Sequence, residues 1–134
     1  MNATDLTMPV LGGGRVLVVD GDEDSAAALT AVLRLHGFDA RSALSPSESL
    51  EAALKYQPQA IIFDPTGLGL DWRKTARRLK TACPSTELIF LTGNTDSQLS
   101  RRAREMGAAG YFLKPAEPQE LVELLNHLCD AKAV

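Results

Sequence analysis

With 134 residues, 45% of them hydrophobic and 23% charged, the chain is the size of one ordinary domain with material for a real core, outside the disordered, collagenous and disulfide-rich classes. The formal net charge of −3 gives no general attraction to nucleic acid or anionic lipid, and no basic stripe interleaved with aromatics stands out, so no direct nucleic-acid contact is expected. Cys83 and Cys129 are isolated and no apolar run approaches membrane-spanning length, which leaves a cytoplasmic protein with reduced cysteines and no membrane contact as the expectation.

Residues 1–14 are polar or small and end in Gly12-Gly13-Gly14, which reads as a flexible leader. Those glycines precede the first apolar run rather than following it, so they are not a dinucleotide-binding loop. Val16-Leu17-Val18-Val19 predicts a buried strand, and Leu29, Val32, Leu33 and His36 then recur at helical spacing until Gly37. A weaker strand over residues 38–43 leads to Ser45-Pro46-Ser47-Glu48, a capped helix start, with Leu50, Ala53 and Leu54 following on one face. Ala60-Ile61-Ile62-Phe63 is the third strand, and Trp72, Ala76, Leu79 and Cys83 mark a third helix that Pro84 ends. Next come the strand Leu88-Ile89-Phe90-Leu91 and a helix striped by Leu99, Ala103 and Met106. The strand Tyr111-Phe112-Leu113 and a helix striped by Leu121, Leu124, Leu125 and Leu128 complete the pattern.

Nearly continuous apolar strands alternating strictly with helices predict an α/β fold with a five-stranded parallel sheet. The expected architecture is the flavodoxin-like doubly wound sheet, strand order 2-1-3-4-5, with helices on both faces. One domain over residues 15–130 and a short tail at 131–134 are expected.

Sites on such sheets form beyond the carboxyl ends of the strands, near the point where strand order reverses. The first strand runs into Asp20, the third into Asp64, the fourth into Thr92 and the fifth into Lys114, whereas the second, an edge strand, runs into Ser42 and Ala43. Two carboxylates brought together repel unless a cation neutralises them, and Mg²⁺ takes a few oxygen ligands besides water and phosphate. Lys114 can pair with one phosphoryl oxygen and Thr92 can donate to another. Phosphoryl transfer to a carboxylate suits this set.

In chain order, Val18-Val19-Asp20, Phe63-Asp64, Leu91-Thr92-Gly93 and Tyr111-Phe112-Leu113-Lys114-Pro115 resemble the response-regulator receiver domains, over essentially residues 15–128. The resemblance implies that Asp64 accepts a phosphoryl group from a histidine kinase or phosphotransfer protein and that Asp20 helps to hold Mg²⁺. It implies that Thr92 and Lys114 contact the phosphoryl group, and that Thr92 and Tyr111 form the switch, Tyr111 by changing rotamer. A cis Lys114-Pro115 peptide and a downstream protein partner on the face from the fourth to the fifth helix are implied as well. A signalling module, not an enzyme, is expected.

The chain departs from the family pattern at Gly21, which aligns with the second acid of a metal-binding pair; Asp22 and Glu23 follow at once, and Asp22 is the candidate replacement ligand. Restoring an acid by Gly21→Asp is expected to tighten Mg²⁺ binding. Pro65 follows Asp64 directly, and Leu70-Asp71-Trp72 stands where the family's loop ends in Asp-Gly. Two other readings remain open. One is a docking module of the same fold that is never phosphorylated, which Gly21 favours. The other is an aspartyl-phosphate phosphatase, because Asp64-Pro65-Thr66-Gly67 is similar to the Asp-x-Thr-Gly of aspartyl-phosphate enzymes, although Thr66 stands where those phosphatases carry a second Asp. Arg101, Arg102 and Arg104 are expected to form a solvated face.

Overall fold

The computed structural model describes residues 13–69 and 71–133, the last four of these without their side chains. Most of the expected leader, Leu70 and Val134 lie outside the described residues. In order come β1 (Arg15–Val19), α1 (Glu23–Leu35), β2 (Asp39–Ala43), α2 (Pro46–Tyr56), β3 (Ala60–Phe63), a 3-10 turn (Thr66–Leu68) and α3 (Trp72–Ala82). β4 (Glu87–Thr92), α4 (Ser97–Glu105), β5 (Gly110–Leu113) and α5 (Pro118–Ala133) follow. The strands form one parallel sheet in the order β2-β1-β3-β4-β5, the topology read from the alternating pattern.

Local chemistry sets the helix ends. Asp22 caps α1 by accepting from the Asp24 N–H at 3.2 Å and the Ser25 hydroxyl at 2.8 Å. Ser45 caps α2 by accepting from the Glu48 N–H at 3.2 Å, with Pro46 in the first turn, and Asp96 caps α4 through the Gln98 N–H at 2.9 Å. Beyond α1 and α4 the chain turns at Gly37 and Gly107, with φ of 93° and 77°, a region that costs glycine nothing.

Alternate strand residues face opposite layers. Val16, Val18, Ile62 and Ile89 pack with Ala26 and Leu33 of α1 and Leu121 and Leu125 of α5. Leu17, Val19, Ile61, Phe63 and Phe90 pack with Ala53 of α2, Ala76 and Leu79 of α3 and Ala103 of α4. Trp72, the first residue of α3, lays its ring edge-on to Phe90 at 5.7 Å and adds to this second layer.

Two residues differ from expectation. Gly14, placed in the leader on sequence grounds, is buried; its carbonyl accepts from the Asp39 N–H at 3.0 Å, and a Cβ there would collide with Cys129. The packed fold therefore includes Gly14. Leu54, expected on the same face as Leu50 and Ala53, is 52% exposed, whereas Ala53 is fully buried.

Candidate functional site

The sheet delivers four side chains to one edge. Beyond β1 the Asp20 N–H donates to the Ala43 carbonyl at 3.1 Å, and beyond β3 the Asp64 N–H donates to the Val19 carbonyl at 2.9 Å. The ladder thus runs one residue past each strand and fixes both acids side by side. Lys114, just beyond β5, is held the same way, its N–H donating to the Thr92 carbonyl at 2.8 Å.

Asp20 and Asp64 are only 6% and 7% exposed, a costly place for two carboxylates unless each is paired and hydrogen-bonded. The Lys114 ammonium answers both, lying 3.0 Å from Asp20 Oδ2 and 2.8 Å from Asp64 Oδ2. The remaining oxygens accept backbone N–H groups at 2.9 Å, Asp20 Oδ1 from Asp22 and Asp64 Oδ1 from Thr66. Burial pulls the Lys114 pKa down, but its hydrogen bonds to Asp64 and Asp20 and their negative charges outweigh it, and the net shift is upward.

The other candidates take distinct positions. Asp22 lies at the rim of the same cleft, where its bond from the Ser25 hydroxyl leads the causes that hold its carboxyl below the usual range. Thr92 is fully buried and sits behind Thr66, the two hydroxyls 2.8 Å apart; the Asn94 N–H donates to Thr92 Oγ1 at 3.1 Å. Tyr111 stands outside the acidic cleft. Its ring stacks on Phe90 at 6.5 Å and its hydroxyl donates to the Asn94 carbonyl at 3.3 Å. Burial, then the charge of Asp96, raises its pKa. The Lys114-Pro115 peptide is cis.

Thr66, Gly67 and Asn94 line the cleft with Asp20, Asp64 and Lys114, yet none of the three stood out in the sequence as a site residue. The run Asp64-Pro65-Thr66-Gly67 was a signal for two of them. A Cβ on Gly21 would collide with the Gly67 carbonyl oxygen and lie 2.8 Å from its carbon, so the space for an acid at this position is filled by the turn after Asp64. Gly21→Asp therefore requires the turn at Gly67 to shift before an acid at this position could reach the cleft.

Residues 16–126 match the response regulator receiver domain family. The chain belongs to this family. It is a receiver domain of two-component signalling, similar over 81% of its length, at 35% identity, to the DNA-binding response regulator MtrA of Mycolicibacterium smegmatis. The transcriptional regulatory protein PrrA of Mycobacterium tuberculosis is 33% identical over 85% of this chain. The chain spans about half the length of these relatives, 47% and 49%. Among solved structures, a CheY-like receiver domain protein from Methanospirillum hungatei superposes with a TM-score of 0.82 at 21% identity, covering 90% of this chain and 97% of its own. One from Clostridium thermocellum gives 0.81 at 24% identity with the same coverage. These likenesses establish the fold.

Receiver domains bind Mg²⁺ at the acidic pocket. The donor set of this receiver domain fits such an ion with two carboxylates, Asp20 and Asp64, because Mg²⁺ is commonly held by one or two carboxylates with water and phosphate oxygens completing its shell. Among the described residues no group of three acidic, histidine or cysteine side chains stands together to do more. No helix among the described residues is long and apolar enough to cross a membrane.

Proposed function

We propose that this receiver domain accepts a phosphoryl group on Asp64 from a histidine kinase or phosphotransfer protein in the cytoplasm. The supporting observation is the Lys114 ammonium set 2.8 Å from Asp64 and 3.0 Å from Asp20, a fixed positive charge at the carboxylate that would receive the group. In the transfer a carboxylate oxygen of Asp64 forms the new P–O bond as the bond from phosphorus to the donor breaks. Bound Mg²⁺, held by Asp20 and Asp64, would neutralise charge on the phosphoryl oxygens. Lys114 pairs with one of those oxygens, and the Thr66 N–H keeps the acceptor carboxylate oriented. The Thr92 hydroxyl, released from Thr66, would donate to the phosphoryl group, and Tyr111, anchored to Asn94 on the same loop, would follow it. The readout is a protein partner on the face from α4 through β5 to α5, without direct nucleic-acid contact.

The test is incubation with acetyl phosphate and Mg²⁺ followed by intact-mass measurement. The wild type should gain one phosphoryl group and Asp64→Asn none; an adduct that persists on Asp64→Asn overturns the assignment. A second reading, a docking module that is not phosphorylated, is favoured by the Gly67 backbone standing where an acid at position 21 would need space. It predicts no adduct on either protein.

A further inference from the structure

The sequence contains a basic stripe that its negative net charge conceals. α3 carries Arg73, Lys74, Arg77, Arg78 and Lys80 and no acid. The first four are exposed, and among the described residues their side chains make no hydrogen bond or ion pair. Of the acids of the neighbouring α2, Glu48 accepts from the Leu44 N–H at 2.8 Å, and Glu51, which lines the adjoining surface with Leu50, Leu54 and Arg78, pairs with Lys55 at 3.3 Å. An ordinary soluble surface intersperses the two signs; here four exposed cations of α3 stand together with no ion pair among the described residues.

Beside this stripe lies apolar surface. Leu50 and Leu54 of α2 line a groove whose other wall is Lys74, Arg77 and Arg78 of α3, and Leu54 is 52% exposed. We propose that the α2–α3 groove docks an acidic amphipathic helix of a partner protein, its apolar residues on Leu50 and Leu54 and its carboxylates on Lys74, Arg77 and Arg78. Charge complementarity selects an acidic partner, and Arg favours carboxylates because its planar fork can take both oxygens. The leucines decide between acidic partners. A helix laid in a groove buries an apolar stripe, whereas a nucleic-acid backbone would use the cations and leave Leu50 and Leu54 in water. The groove lies on the face of the sheet away from α1 and α5, and the proposal does not depend on phosphorylation of Asp64.

The test uses the full chain and a short designed helix with leucines along one stripe and glutamates on the rest. Amide shifts should move on α2 and α3 when this peptide is titrated in. Arg77→Glu with Arg78→Glu should weaken binding by about tenfold or more, and Leu54→Ser should weaken it too. Arg101→Glu with Arg104→Glu, an equal charge change on α4, should leave it within about twofold. The same peptide with serines for leucines should bind clearly more weakly. Absence of binding, equal loss from both charge-reversed pairs, or full binding by the serine peptide overturns the proposal. So does preferential occupation of the groove by duplex DNA or phosphatidylglycerol vesicles, or a dimer in sedimentation that Arg77→Glu with Arg78→Glu dissolves, which would give the surface to a second copy.

Discussion

Gly21 and Gly67 touch backbone to backbone: a Cβ built on Gly67 would lie 3.0 Å from both the nitrogen and the Cα of Gly21. Neither glycine has a positive φ, so the constraint is room and not backbone conformation. Gly21→Ala and Gly67→Ala should each destabilise the fold by about 1–3 kcal/mol, the usual cost of overpacking a filled space, read from urea denaturation. Gly21→Asp should cost at least as much and leave Mg²⁺ affinity, measured by calorimetry, unimproved. A Gly21→Asp protein of wild-type stability that binds Mg²⁺ more tightly would show that the turn yields without penalty.

The strands and helices were legible because each side of the parallel sheet writes its own signal: Ile61, Ile62 and Phe63 form a continuous apolar run only because both faces of β3 are covered. Asp20, Asp64 and Lys114 were legible as residues that leave such runs, and the topology brings them together. Gly67 was not, since its role is played by the main chain and depends on the loop after β3 meeting the loop after β1. Thr66 was hidden for a similar reason: nothing in the sequence says that its hydroxyl lies against Thr92. The basic stripe on α3 was lost in the sum over the chain, which averages local charge away.

Tyr56 donates its hydroxyl hydrogen bond to the Asp39 carbonyl, and burial first, then hydrogen bonding with the Asp39 side chain and its charge, push the Tyr56 pKa from 10.0 up to about 12. A folded-state pKa above the unfolded one contributes stability that is complete below the unfolded value and lost as pH rises through the folded value. Stability should therefore fall between pH 10.0 and about 12, and Tyr56→Phe should flatten that part of the profile. Lys114, also raised, loses its contribution as pH rises above 10.5 in both proteins alike. An unchanged alkaline profile in Tyr56→Phe would mean that the hydroxyl is equally protonated in the unfolded chain.

Lys114→Met leaves Asp20 and Asp64 buried without their shared cation. Breaking a buried pair costs about 3–5 kcal/mol when both partners are out of water, and with the Lys114 side chain 30% exposed a loss of about 2–3 kcal/mol is expected. Adding Asp20→Asn to Lys114→Met should recover part of it by removing one of two like charges. Thermal or urea unfolding of the three proteins forms the check, and a double variant less stable than Lys114→Met would show that repulsion between the acids is not the cost.

The hydrogen bond between Thr66 and Thr92, 2.8 Å long, holds the Thr92 hydroxyl against the loop after β3. In the proposed switch Thr92 must leave Thr66 to reach a phosphoryl group, so the bond is a brake on the active arrangement. Thr66→Val removes this partner of the fully buried Thr92 hydroxyl, which still accepts from the Asn94 N–H and is then free to turn its own proton towards phosphate. A neutral hydrogen bond contributes about 0.5–1.5 kcal/mol net, so Thr66→Val should bind beryllofluoride with Mg²⁺ about two- to tenfold more tightly than wild type. Amide shifts should be followed in the same titration. In the wild type the changes should extend from the cleft to α4, Tyr111 and α5, and in Thr66→Val they should reach the same end point at lower beryllofluoride. Weaker binding in the variant would mean that Thr66 itself contacts the phosphoryl group, and changes confined to Asp20 and Asp64 in both proteins would mean that Thr92 and Tyr111 do not move together.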